Sequence, residues 1–73
     1  MHTRSLLPIE LEVLSLFAKG KTTEEIGAAL SIHKGAVQNH LRVATRKLGA
    51  ANRVHAAVIA AEIGLIKTFK RSV

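Results

Sequence analysis

The sequence predicts an all-α domain, a bundle of four helices with a helix-turn-helix at its centre. Four segments repeat apolar residues at helical spacing, and three of them are closed by a glycine, Gly20, Gly49 and Gly64. The apolar content of 48% is almost wholly aliphatic, since Phe17 and Phe69 are the only aromatic residues. Finally, only Ser31, Ile32 and His33 separate the second segment from the third, the short connection of a helix-turn-helix.

The first helix is expected from Pro8, whose fixed φ and missing amide suit the first helical position, to about Lys19. Leu11, Leu14 and Ala18, flanked by Ile9, Val13 and Phe17, form its buried stripe, and Glu10 and Glu12 complement the dipole in its first turn. Thr22 followed by Glu25 is a capping box, so a second, short helix runs from Thr23 to Leu30. Gly27 at its middle costs helix stability, which implies that another helix approaches closely there. The third helix, Lys34 to Leu48, buries Val37, Leu41, Ala44 and Leu48 and turns Lys34, Gln38, Asn39, Arg42, Thr45 and Arg46 the other way. Asn52 caps a fourth helix from Arg53 to Ile63. It carries two apolar stripes, one of Ala56, Ile59, Ala60 and Ile63, the other of Val54, Ala57, Val58 and Ala61. So small a domain cannot surround a helix, so the second stripe is expected to contact another subunit.

Seventy-three residues leave room for one domain, with a core over residues 6–66 and a flexible basic tail at 67–73. Without cysteine or a metal cluster, a chain this short gains stability from tight helix packing or from a partner, so a homodimer is expected. The missing cysteines fit a cytoplasmic protein, and no apolar run approaches the roughly 18 residues that span a bilayer, so no membrane partner is expected. The net charge of +6 points to a polyanion, and the basic residues cluster: Lys34, Arg42, Arg46, Lys47 and Arg53 fall in a stretch without any acid between Glu25 and Glu62.

These features converge on double-stranded DNA. An anchored helix with one polar face fits the major groove, where Gln38 and Asn39 suit adenine and Arg42 suits guanine. Thr22 and Thr23 at the opening of the second helix, together with Lys34, His40, Arg46 and Lys47, are the candidate phosphate contacts. His2, His33, His40 and His55 have neither metal-ligand spacing nor a nucleophile beside them, so no enzyme, metal or cofactor is expected.

From Leu6 to Ile66 the chain resembles the LuxR-type helix-turn-helix family, the DNA-binding domain shared by quorum-sensing regulators and NarL/FixJ-type response regulators. Pro8, Glu10, Glu12, Val13, Leu14, Gly20, Thr22, Glu25, Ile26, Leu30, Ile32, Val37, His40, Lys47, Leu48, Gly49, Asn52, Arg53, Ala56 and Gly64 to Ile66 carry the likeness. It implies a GerE-like fold whose third helix reads bases through Gln38, Asn39 and Arg42 and whose fourth forms the dimer through Val54, Ala57, Val58 and Ala61. It further implies a bacterial transcription regulator on a palindromic operator, with RNA polymerase as a further partner, and the region from Ala50 to Ile66 is more like the quorum-sensing branch.

The chain departs from the family pattern at Leu7, His33 and Ala36, where threonine, serine and threonine are usual, and Gly35 is unusual in the first turn of a recognition helix. Capping of the first and third helices is therefore expected to be weaker, and two phosphate contacts to be lost. The alternative function is a truncated relative that pairs with full-length family members without specific DNA binding of its own. A coat of unspecific nucleic-acid contacts is a further alternative; it depends on salt alone.

Overall fold

The computed structural model describes residues 6–67. They form α1 (Pro8–Ala18), α2 (Thr23–Leu30), α3 (Lys34–Lys47) and α4 (Arg53–Glu62), with no strand among the described residues. Three helices stop one residue short of their expected ends because Lys19, Leu48 and Ile63 serve as C-caps. Lys67 is exposed, and the rest of the expected basic tail lies outside the described residues.

Leu7 at the N-cap of α1 offers no side-chain acceptor, but Glu10 supplies the reciprocal half of a capping box, its Oε1 accepting the Leu7 N–H at 3.0 Å. The box at α2 is complete: Thr22 Oγ1 accepts from Glu25 N–H at 3.1 Å, and Glu25 Oε1 accepts from Thr22 N–H at 2.9 Å. His33 at the N-cap of α3 makes no side-chain cap. Asn52 Oδ1 caps α4 by accepting from His55 N–H at 2.8 Å.

The turn between α2 and α3 fixes the fold. Ser31 takes the left-handed conformation at φ 59°, and Ile32 N–H reaches back to Gly27 O at 2.9 Å. A Cβ on Gly27 would lie 2.7 Å from the Ile32 carbonyl oxygen. The close approach at this glycine is thus made by the turn backbone and not, as expected, by another helix; Val37 of α3 lies only in ordinary contact beyond it.

α3 packs against each of the other three helices. Val37, Leu41 and Ala44 are fully buried against Val13 and Leu14 of α1, Ile26 of α2 and Ala56 and Ala60 of α4, with Leu6 and Ile66 closing the two ends. Leu48, the fourth member of the expected stripe, is half-buried, as are Leu11, Phe17 and Ala18 of α1.

Two expectations for α4 require correction. Ile63, expected in the inner stripe, is 52% exposed. The chain turns after it, and Leu65 N–H returns to Ala60 O at 2.8 Å, so that Ile66 enters the core instead. Ala57, expected in the outer stripe, is only 8% exposed and belongs to the core. α1 packs against α4 on this side, with Phe17 and Ala18 beside Ala57.

Candidate nucleic-acid interface

Anchoring three hydrophobic side chains of α3 in the core leaves its far face outward. Lys34, Gln38, Asn39, Arg42 and Arg46 are all exposed there, as the spacing requires. Thr45 is half-buried and donates its hydroxyl to the Leu41 carbonyl at 2.7 Å, so that its donor is spent within the helix. Gly35, Gln38, Asn39, Arg42 and Thr45 line one recess, whose opposite wall is Asn52 and Arg53 at the start of α4. None of these seven residues is acidic and two are arginines, so the recess carries positive charge.

The candidate phosphate contacts divide into two groups. At the leading edge of α3, Thr22 is exposed, Thr23 half-buried, and Lys34 Nζ pairs with Glu24 Oε2 at 3.2 Å. Thr23 Oγ1 donates to Glu24 Oε1 at 3.3 Å, so Glu24 ties this edge together while opposing part of its charge. Its carboxyl is held below the ordinary glutamate range, chiefly by hydrogen bonding to the backbone at the start of α2 and secondarily by Lys34.

At the trailing end Arg46 is exposed, but Lys47 occupies a different environment from the one expected of a phosphate contact. Its ammonium lies 3.0 Å from Glu10 Oε1 and 3.3 Å from Oε2, and the Glu10 side chain is only 4% exposed. The pair joins the end of α3 to the start of α1. His40 is half-buried beside the core stripe. Among the described residues no group of histidine and carboxylate side chains gathers to hold a metal.

The sequence places Asn52 as a cap and Arg53 in the charge cluster, and neither among the DNA contacts; the structure brings both to the recess. Their adjacency at the start of a helix was the available signal. Arg53 also lies with its guanidinium carbon 6.0 Å from the centroid of the Phe17 ring.

Behind α4 lies a second, apolar surface. Val54, at 62% exposure, and Val58, at 48%, form one bank of a groove that Ala57 and Ala61 also line. Phe17, Ala18 and Lys21 form its other bank. The four residues of the outer stripe thus share one surface even though Ala57 is covered, and Phe17 joins them from α1.

The match to known proteins follows this geometry. The family model for bacterial regulatory proteins of the luxR family aligns with residues 4–60. The chain belongs to the LuxR family. This is a family of DNA-binding transcription-regulator domains, not of enzymes. Among similar curated proteins, transcriptional activator protein BjaR1 of Bradyrhizobium diazoefficiens is 47% identical over 55 residues, covering 75% of this chain and 23% of that protein. The HTH-type quorum sensing-dependent transcriptional regulator RpaR of Rhodopseudomonas palustris is 47% identical over 62 residues, covering 85% and 26%. Transcriptional regulatory protein DesR of Bacillus subtilis is 43% identical over 58 residues, covering 80% and 29%. The chain therefore spans about a quarter of the length of these LuxR-family relatives. The solved structure of the transcription factor GerE superposes with a TM-score of 0.81 at 27% identity, over 85% of this chain and 92% of that one.

Proposed function

We propose that this LuxR-family domain binds a specific double-stranded DNA site as a homodimer and is the output module of a bacterial transcription regulator acting in the cytoplasm. One observation carries the reading: α3 is fixed by Val37, Leu41 and Ala44 while Gln38, Asn39 and Arg42 stand together on an exposed recess without an acidic residue. A rigid helix presenting amides and a guanidinium meets the donor and acceptor pattern of the major groove. Thr22, Thr23, Lys34 and Arg46 flank that face and supply affinity and register through phosphates. Lys47 and His40 contribute mainly through packing. The Val54, Val58 and Ala61 surface, floored by Ala57, is the subunit contact, and its two-fold symmetry implies a palindromic operator.

The test is selection of bound duplexes from a random pool, followed by affinity measurement on the selected site and a scrambled one across salt concentrations. Specific binding predicts that Arg42→Ala flattens the preference at one base pair per half-site. Lys34→Ala should weaken every sequence alike and lower the salt slope by about one unit. A domain that enriches no sequence and binds selected and scrambled duplexes equally would contradict the proposal. Binding to neither duplex, combined with pairing to longer relatives, would favour a regulator that acts by heterodimerisation.

A further inference from the structure

On the recognition face, Arg42 and Asn39 are not independent. The Arg42 Nη2 donates a hydrogen bond to Asn39 Oδ1, three residues earlier on the same face of α3. Residues three apart on a helix are neighbours, so the contact needs no distortion of the backbone. Gln38, one position earlier, has no such partner among the described residues.

We infer that Asn39 is a positioning residue which aims the Arg42 guanidinium at its base, so the two side chains read one base pair as a unit and Gln38 reads separately. The inference rests on the proposed entry of α3 into the major groove and refines its division of labour. An adenine reader presents its amide oxygen and nitrogen together to a base edge. In Asn39 the orientation of that amide is already set by the guanidinium rather than by a base. Arg42 loses little by the contact: each terminal nitrogen carries two hydrogens, so the fork that meets the two acceptors of guanine survives when one hydrogen of Nη2 is spent.

The chemistry of the partner matters. A carboxylate at position 39 would also hold the guanidinium, but its charge would cancel the attraction to DNA. A neutral amide aims the group and leaves its charge intact. The recess supplies no alternative restraint, since its other cation, Arg53, repels Arg42 and no carboxylate lines it.

The experiment compares base preference at every operator position for the whole protein and for Asn39→Ala, Asn39→Asp, Arg42→Ala and the double alanine variant. Asn39 and Arg42 are exposed, so folding is checked by circular dichroism and is expected to be unchanged. Arg42→Ala should reduce discrimination at one base pair per half-site by about tenfold or more, within the range of a lost bidentate contact. Asn39→Ala should relax the same base pair by a smaller factor, and the double variant should be no worse than Arg42→Ala. Asn39→Asp keeps the acceptor and should preserve the preference at that pair while lowering affinity for all sequences. If Asn39→Ala relaxes a different base pair and its effect multiplies with that of Arg42→Ala, Asn39 reads its own base and the inference is overturned. If the unaltered protein prefers no base anywhere, the underlying DNA reading fails as well, and the two failures are separable.

Discussion

Gly27 and Gly35 stand eight residues apart in the helix-turn-helix, and a methyl group should have opposite effects at the two. At Gly27 the added carbon would sit 2.7 Å from the Ile32 carbonyl oxygen, a backbone atom fixed by the turn, so the alanine variant must displace α3 or the turn. Overpacking of this kind costs about 1 to 3 kcal/mol, more than the helix propensity that alanine returns. Gly35 has nothing within 4 Å of its ideal Cβ, so Gly35→Ala should raise stability by up to about 1 kcal/mol. In a domain of this size that is a melting temperature several degrees higher, against a fall for Gly27→Ala, and thermal denaturation reads both. The need for a glycine at Gly27 was legible because a helix centre is a costly position for one. That the approaching group is a turn carbonyl was not, since nothing in a sequence reports the direction of a carbonyl.

At the scale of the element, the stripe of Val37, Leu41 and Ala44 and its exposed counterpart were legible because both follow from the pitch of one helix. What was not legible is whatever depends on two elements meeting. Glu10 reads as a first-turn carboxylate and Lys47 as one more cation in a basic stretch; their pairing links residues 37 apart and emerges only when α1 and α3 pack. The ends of α4 failed for a similar reason. Ile63 and Ile66 compete for one place in the core, and the turn after Glu62 decides it. A buried carboxylate stripped of its cation is costly, so Lys47→Met should destabilise the DNA-free domain by about 3 kcal/mol, whereas Arg46→Ala, on an exposed residue, should change stability little. Urea denaturation of the two variants separates them, and equal stabilities would show that the pair does not hold α1 to α3. At the other edge of α3, the Glu24 carboxyl titrates below its unfolded value. Its contribution is therefore present above the unfolded value and is lost only as pH falls through the lower, folded one. Carbon-detected titration should show the Glu24 midpoint rising toward the ordinary range in Lys34→Ala.

For the whole molecule, the apolar bank on α4 and the basic recess on α3 set what a dimer can do. The domain measures 32 × 30 × 20 Å, and the proposed dimer through Val54 and Val58 would join two such bodies. Reading two half-sites on one side of B-DNA requires the two recognition helices to stand about 34 Å apart, one helical turn. The apolar groove on α4 and the recess on α3 share no lining residue, so the proposed subunit contact leaves the proposed base-reading face open. Two changes test the arrangement from opposite sides. Val54→Asp with Val58→Asp should abolish dimers in sedimentation while leaving the helical spectrum intact, because both side chains are about half exposed or more in the single domain. The same variant should bind a palindrome no better than an isolated half-site. Inserting five base pairs, about half a turn, between half-sites should turn them to opposite faces of the duplex and cut the affinity of the unaltered protein to that of one half-site. If the charged variant stays dimeric, the contact lies elsewhere; if the insertion is tolerated, the two recognition helices are not rigidly joined through α4.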